Sequence, residues 1–211
     1  MKRIGITGTN LEDLVCAHQI LDNTPKTTVY LIDARAEAGL DEEGPGLIQA
    51  NSWPPLPKSW LGQLGSQEPT INSTAVRRSW FEKALATKLS ERGGIFLMRT
   101  IILEEKKEGG KTIIKLGGAG PSKDEEITLD NLIKSEKQDE NILWSGGVYS
   151  DKTSNEEIIG SRPDGLTEIW WEGENTHKNN PLELMKWRGA NPKTAIRDMI
   201  DIGIKTANNL T

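Results

Sequence analysis

The fold is decided by RIGITGTNLEDLVCAHQILDNTPKTTVYLID, the stretch that covers residues 3–33. An apolar run at residues 3–7 is followed by Gly-Thr-Asn, which predicts a buried strand that ends in a turn. Apolar residues then recur at helical spacing over residues 11–21, and the β-branched run at residues 27–32 predicts a second strand. Strand, helix and strand within about thirty residues make one βαβ unit. We therefore expect an α/β fold with a parallel sheet.

The rest of the chain predicts two more helices and several antiparallel strands. The helices are expected at residues 77–92, with Trp80 on the inner face, and at 192–210, with Asn191 as N-cap and Pro192 near the first helical position. Strands are expected at residues 95–103 (bent near Arg99), 112–116, 127–133 and 141–149. Residues 158–159 and 166–171 flank Pro-Asp-Gly, which predicts a hairpin.

The turn after the first strand has the layout of a dinucleotide site. Gly8, Asn10 and Asp13 occupy the three slots of the G-x-G-x-x-G fingerprint. Small residues there let the backbone approach a pyrophosphate, and the helix N-terminus supplies N–H groups and positive dipole. Asp33 lies 20 residues beyond Asp13, the spacing at which an acidic residue accepts ribose hydroxyls. The order of elements predicts dinucleotide binding.

Two of the three slots depart from that fingerprint. Asn10 tolerates unusual backbone angles but adds a side chain. Asp13 either places its charge near the phosphate or caps the first helical turn. An α/β crossover that binds no ligand is therefore the alternative interpretation of this segment.

A second phosphate-binding interpretation fails on charge. GITGTN, at residues 5–10, resembles the opening of the phosphate loop in Mur-type peptide ligases. That loop must continue Gly-Lys-Thr to place an ammonium on the phosphates and a hydroxyl on magnesium. Residues 11–13 are instead Leu-Glu-Asp. The two carboxylates exclude ATP hydrolysis at this turn.

Several segments resemble FAD-dependent oxidoreductases of the glutathione-reductase-type fold, closest to the monooxygenase-like branch. They are residues 2–21, VYLIDARAEAG at 29–39, GPGLIQANSW at 44–53, RRSWF at 77–81 and NPKTAIRDMIDIGIKTANNL at 191–210. In that family an acidic residue ends the second strand and Arg follows closely, an order that Asp33 and Arg35 match. The resemblance implies a FAD/NAD(P)-binding Rossmann-like three-layer fold with a parallel sheet, an antiparallel β-meander and a small added β-hairpin.

The resemblance also implies a set of cofactor-binding residues, which are Gly8, Thr9, Asn10, Leu11, Asp33, Ala34, Arg35, Gly44, Gly46, Asn191 and Thr194. The turn at residues 8–10 would face the pyrophosphate, Asp33 the adenosine ribose, and Arg35 the adenine. Gly44 and Gly46 would let the chain pass close to the cofactor, and the last helix would point its N-terminus at the flavin ring. FAD is expected ahead of NAD(P), and a chain that binds neither is the third option.

Composition excludes several other classes of protein. The chain has 211 residues, a net charge of −5 and no long basic run, which argues against a nucleic-acid partner. With one cysteine, Cys16, and two histidines, it is expected to have no intrachain disulfide, no zinc cluster built from thiolates and no His-rich metal site. Without a signal peptide or an apolar run of membrane-spanning length, a cytoplasmic protein with no membrane partner is expected. Of the seven Trp, Trp80 and Trp144 are expected to pack in the core or at its edge.

The sequence thus predicts one domain, residues 1–211, made of parts 1–117, 118–190 and 191–211. The expected function is that of a compact FAD-binding oxidoreductase-like protein, in which a flavin passes electrons or hydride to a small substrate. No side chain stands out as a catalytic proton-transfer group, so enzyme activity is left open. The alternative is a non-catalytic dinucleotide-binding or interaction module that has lost the substrate domain. The substrate, the redox partner and any homo-oligomer are not specified.

Overall fold

The computed structural model describes residues 1–39, 43–134, 142–150, 158–174 and 180–210. Two compact units divide the chain. The first comprises Met1–Leu40, Leu85–Glu136 and Ile200–Thr211, and the second comprises Asp41–Ala84 and Lys137–Met199. The single domain expected from the sequence stays a prediction.

Helices and strands alternate at the start of the chain and strands dominate afterwards. The strands of the first unit are β1 (Lys2–Thr7), β2 (Thr27–Asp33), β3 (Ile95–Met98), β4 (Thr100–Glu108), β5 (Lys111–Gly118), β6 (Glu126–Leu129) and β7 (Asn131–Lys134). Those of the second are β8 (Leu143–Tyr149), β9 (Ile159–Ser161), β10 (Thr167–Glu172) and β11 (Glu183–Arg188). The helices are α1 (Leu11–Asn23), α2 (Arg78–Glu91) and α3 (Ala195–Asn208), with short 3-10 turns at Lys58–Trp60 and Gly65–Gln67.

A parallel sheet in the order β3-β2-β1-β7 forms the centre of the first unit. On one face the apolar stripe of α1 is buried, and Gly203 of α3 packs on α1 so closely that a Cβ would lie 2.5 Å from the Glu12 carbonyl oxygen. On the other face lies the antiparallel meander β4-β5-β6, and a Cβ on Gly5 would meet Leu129 at 2.6 Å. Ile32, Ile114 and other apolar residues fill the space between sheet and meander. The predicted three-layer α/β fold is confirmed.

Two of the predicted strands each prove to be a pair of strands. Residues 95–103 divide at Arg99, whose φ of 53° turns the chain from the parallel sheet into the meander. Residues 127–133 divide at Asp130, which separates β6 of the meander from β7 of the parallel sheet and accepts the Arg3 N–H at 2.7 Å. A short apolar run predicts a strand, but it does not predict the point at which the chain leaves one sheet and joins another.

The second unit contains a four-stranded antiparallel sheet in the order β11-β8-β10-β9. The predicted hairpin is confirmed as β9–β10, and its turn is closed by the Arg162 N–H on the Leu166 carbonyl at 2.8 Å. The edge strand β11 was not predicted. Met185 is its only buried residue, so its apolar pattern is weak. Leu47, Trp170, Met185 and their neighbours form an apolar core beneath this sheet.

Two local expectations about α2 and α3 are wrong. Trp80 is 46% exposed, because α2 buries Phe81, Leu85 and Leu89 instead. The last helix begins at Ala195 rather than near Pro192, since the chain first makes a turn in which the Thr194 N–H donates to the Asn191 carbonyl at 3.2 Å. Trp144 is half-buried, and its indole N–H donates to the Gly189 carbonyl at 3.0 Å.

Within the part of the chain that the structure describes, every helix is too short or too polar to span a lipid bilayer.

Candidate functional site

The turn between β1 and α1 is shaped by Gly8. Its φ is 123°, a backbone conformation that side chains disfavour. The Gly8 N–H donates to the Ile32 carbonyl at 2.9 Å, which fastens the turn to the end of β2. Helix α1 starts at Leu11, directly after the turn. The N-terminal N–H groups of α1, which lack intrahelical carbonyl partners, therefore lie at the carboxyl edge of the sheet, where anions are favoured.

Asp13 caps this helix N-terminus. The Asn10 N–H donates to Asp13 Oδ2 at 3.0 Å, and the Asn10 side chain accepts the backbone N–H of Asp13, which completes a capping box. Of the two roles that the sequence left open for Asp13, capping is the one the structure shows. The carboxylate is buried, so a negative charge is held within the turn where the fingerprint has its third glycine.

Asp33 lies beside the same turn, at the end of β2. Its Oδ2 accepts the Thr9 hydroxyl at 2.8 Å, and Oδ1 accepts the Arg35 backbone N–H at 2.9 Å. Burial by itself would raise the pKa of Asp33, but hydrogen bonds from Arg35 and Thr9 outweigh it and lower the pKa below its ordinary value. Asp33 is thus an ionised acceptor at the position where the spacing predicted one.

Arg35 spans the turn from the other side. Its Nη2 lies 2.5 Å from Asp33 Oδ2 and 3.0 Å from Thr9 Oγ1, and its Nη1 donates to Asn10 Oδ1 at 3.0 Å. The structure therefore brings Gly8, Thr9, Asn10, Asp33 and Arg35 together, with Ala34 between the two charged residues. The Leu11 side chain is fully buried, so this residue offers the turn only its backbone.

Gly44 and Gly46 belong to the second unit, where both lie against protein atoms. A Cβ on Gly46 would fall 1.8 Å from the Val76 carbonyl oxygen, and one on Gly44 would fall 2.5 Å from Arg78 Nη1. The Gly46 N–H donates to Glu168 Oε1 at 2.8 Å. Both glycines were singled out because they let the backbone pass close to another group. The structure shows such close passage, of Gly46 against Val76 and of Gly44 against Arg78.

Asn191 and Thr194 also lie in the second unit, ahead of α3. The Thr194 carbonyl accepts the Asp198 N–H at 2.8 Å and so takes the N-cap position that the sequence gave to Asn191. Asn191 Oδ1 accepts the Lys193 N–H at 2.9 Å. Both residues therefore shape the entry to this helix.

Two arginines in the second unit carry buried guanidinium atoms, and only Arg162 was missed from sequence. Arg162 pairs with Glu168 in the interior, and Glu168 also accepts the Trp170 indole N–H at 2.7 Å. Arg78 donates its Nε to Glu82 at 2.9 Å, while its buried Nη1 has no hydrogen-bond partner among the described residues. The resemblance did mark an Arg at the start of this helix, but no sequence pattern signalled the buried pair.

No family model and no curated protein matches this sequence. Solved structures match in fold. The aromatic hydroxylase CabE from angucycline biosynthesis has a TM-score of 0.57 at 12% identity, over 99% of this chain and 62% of its own. A flavoprotein/dehydrogenase from Cytophaga hutchinsonii has a TM-score of 0.60 at 10% identity, and the match covers 98% of this chain and 77% of the other. The halogenase PltM has a TM-score of 0.64 at 8% identity, and the match covers 99% of this chain and 68% of the other.

The chain has the flavoprotein fold. At 8–12% identity these likenesses establish the fold and leave activity to be argued from the site. The chain spans about three fifths of the length of CabE, 62%.

Proposed function

We propose that the chain binds FAD and acts as a flavin-dependent oxidoreductase on a small substrate. The observation that carries the proposal is the distance of 2.8 Å between the Thr9 hydroxyl and Asp33. This contact brings the turn after β1 next to a carboxylate, and that pairing supports a site for the phosphates and the ribose of a dinucleotide. The structural neighbours include a flavoprotein/dehydrogenase, a hydroxylase and a halogenase, which supports the same class of chemistry.

The first unit offers groups that suit the ADP half of the cofactor. Gly8 keeps the turn free of a side chain, and the N-terminus of α1 offers its positive dipole to the pyrophosphate. Asp33 is ionised and can accept hydroxyl groups of the ribose. Arg35 supplies a cation that pairs with Asp33 and donates to Asn10 at the turn. The chain's task here is to bind and orient the nucleotide.

The second unit offers a buried donor that the described protein does not use. Arg78 Nη1 is buried with no hydrogen-bond partner in the part of the chain that the structure describes, beside the position where Gly44 leaves out a side chain. An unpaired buried guanidinium N–H is costly unless an acceptor from outside the chain reaches it. Gly44, Gly46, Asn191 and Thr194 stay cofactor contacts that the resemblance implies. When bound, the flavin supplies the electron or hydride transfer.

A non-catalytic dinucleotide-binding or interaction module is the second candidate. Asp33 already holds Arg35, and the Asn10 N–H already holds Asp13, so both nucleotide-facing groups have partners within the chain. The Gly-Asp pair that the family carries before its last helix is Gly-Ala here, at residues 189–190. These features favour a chain that keeps the fold and has given up flavin chemistry.

Visible absorbance of the purified chain separates the two candidates. We expect a yellow protein that releases flavin on denaturation, or a colourless one that becomes yellow when incubated with FAD. Added FAD at a hundredfold excess over Kd should raise the free energy of unfolding by about 2.7 kcal/mol. A colourless chain whose melting temperature does not change on addition of FAD, NAD or NADP supports the non-catalytic module.

A matched pair of variants then tests the site. Asp33→Asn should weaken FAD binding by about tenfold or more, because a charge-assisted hydrogen bond contributes about 1.5–3 kcal/mol. Asp130→Asn makes the same substitution at a carboxylate that holds the Arg3 N–H at 2.7 Å outside the turn. Equal losses of FAD affinity in both variants would argue against a site at Asp33.

A further inference from the structure

Arg35 occupies the acceptors that a nucleotide would use. We propose that this arrangement makes the site select nucleotides that carry a diphosphate and reject bare nucleosides. The inference rests on the proposed function, since it assigns a specificity-determining role to one residue of the same site. It follows from which donors Asp33 already accepts and from what Arg35 could accept in exchange.

Asp33 has little capacity left for a ribose while Arg35 is in place. A carboxylate offers about four acceptor positions. Here they receive the Thr9 hydroxyl at 2.8 Å, the Arg35 backbone N–H at 2.9 Å, and the Arg35 guanidinium through Nε at 2.9 Å and Nη2 at 2.5 Å. A ribose can bind Asp33 only when the guanidinium withdraws.

A nucleoside cannot compensate for that withdrawal. Its hydroxyls are neutral donors, whereas the guanidinium forms charge-assisted hydrogen bonds, which are about twice as strong. Removal of Arg35 from Asp33 also strips the guanidinium of its carboxylate partner. The free energy lost when Arg35 leaves Asp33 therefore exceeds the free energy gained from the ribose hydroxyls, and adenosine should bind poorly.

A diphosphate changes the balance because it gives the guanidinium a new partner. Arg35 already reaches across the turn, with Nη1 at 3.0 Å from Asn10 Oδ1 and Nη2 at 3.0 Å from Thr9 Oγ1. Its side chain is 18% exposed and already bonds to two residues of the turn, so an anion at the turn would lie within reach of the guanidinium. Guanidinium groups bind phosphate oxygens in a bidentate manner. One ion pair is then exchanged for another, and Asp33 becomes available to the ribose.

The test is calorimetric titration of adenosine and of ADP into the intact chain and its variants. The wild type should bind ADP at least about tenfold more tightly than adenosine. In Arg35→Gln, adenosine should bind more tightly and ADP more weakly, so that the ratio of the two affinities falls by about tenfold. Arg35→Lys, which keeps the charge without the planar fork, should give a ratio between these values. Arg99→Gln is the matched control at an exposed arginine whose backbone N–H donates to the Arg35 carbonyl at 2.8 Å, and its ratio should equal that of the wild type.

Failure of this inference differs from failure of the proposed function. If the wild type binds ADP and FAD but Arg35→Gln changes adenosine and ADP affinity by the same factor, the selective role of Arg35 is overturned and the FAD site stands. If neither the wild type nor any variant binds FAD, ADP or adenosine, the proposed function falls. Should Arg35→Gln not fold, the Arg35→Lys ratio decides, and a value equal to the wild type overturns the proposal.

Discussion

The Arg162 guanidinium and the Glu168 carboxylate meet at 2.8 Å in the interior of the second unit, where their side chains are 1% and 0% exposed. The same carboxylate accepts the Gly46 N–H at 2.8 Å and the Trp170 indole N–H at 2.7 Å. One buried charge pair therefore links the turn of the β9–β10 hairpin, Trp170 of β10 and the backbone at Gly46.

Loss of the negative charge should destabilise this unit strongly. We expect Glu168→Gln to lower the free energy of unfolding by about 3–5 kcal/mol, because Arg162 loses its buried counterion and keeps only the partly exposed Glu183 carboxylate, at 3.9 Å. Chemical denaturation measures the change. Glu172→Gln, the same substitution at an exposed position of the same strand, should change it by less than about 0.5 kcal/mol. Similar small effects from both variants would contradict the role of the pair.

His18 should make the first unit sensitive to mild acid. Arg92 Nη1 lies 2.7 Å from Nδ1 and the Leu85 carbonyl lies 3.1 Å from Nε2, so the ring is neutral with its proton on Nε2. Burial lowers the pKa of His18 from 6.5 to about 4, and the positive charge of Arg92 adds to this effect while the Leu85 carbonyl and Asp22 oppose it. The unfolded chain therefore binds a proton in a range of pH where the folded chain does not.

Stability is then lost as the pH falls from the unfolded pKa towards the folded one. Between about pH 7 and about pH 5 this histidine should cost about 2 kcal/mol of unfolding free energy. Urea titrations at both values measure it. The His18→Gln variant cannot titrate at this position, so its loss of unfolding free energy between the two pH values should be smaller than that of the wild type by about 2 kcal/mol. An identical pH dependence in the two proteins would refute the assignment.

The sequence could predict the βαβ unit because its signals are local. Residues 11–21 carry a complete helical stripe, and Asp33 follows from counting along the chain. The sequence could not show that β6 and β7 join different sheets at Asp130, nor that β11 exists, since both depend on strands distant in sequence.

The side-chain partners of the site were harder to predict than its position. Asp13 at a helix N-terminus is compatible with capping and with a phosphate-facing charge, and only coordinates show that it holds the Asn10 N–H. The resemblance assigns Arg35 to the adenine, but it does not predict the contacts of Arg35 with Asp33 and Thr9. Glu168 looks like a solvent-facing residue of a hairpin strand until Arg162 is found beside it. Pairing between side chains depends on tertiary packing, which no periodicity encodes.

Cys16 should be chemically silent in the folded chain. It is the only cysteine, it is buried in α1, and burial, reinforced by the charge of Asp13, raises the pKa of its thiol to about 12. Thiolate is the reactive form, so a disulfide-type thiol reagent should label the native chain negligibly and label one thiol per chain in denaturant. Rapid stoichiometric labelling in native buffer would show that α1 opens or that the thiol is reached from outside.

The carboxylate of Asp13 should weaken diphosphate binding at the turn that it caps. It lies 3.0 Å from the Asn10 N–H, at the helix end where a phosphate would bring like charge. Asp13→Asn keeps an oxygen for that N–H and removes the charge. Two unit charges about 4 Å apart in water interact by about 1 kcal/mol, so ADP affinity should rise about fivefold while the free energy of unfolding falls by about 0.3–1 kcal/mol.

Salt and a matched variant identify the cause of any gain in ADP affinity for Asp13→Asn. Salt screens a buried charge less than an exposed one, so a gain caused by the buried Asp13 carboxylate should decrease only in part as ionic strength rises towards 1 M, where the Debye length is about 3 Å. Asp201→Asn removes the same charge from an exposed position of α3 and should leave ADP affinity near that of the wild type. An unchanged or weaker affinity in Asp13→Asn would mean that the capping box itself shapes the phosphate turn and that its charge is not the obstacle to binding.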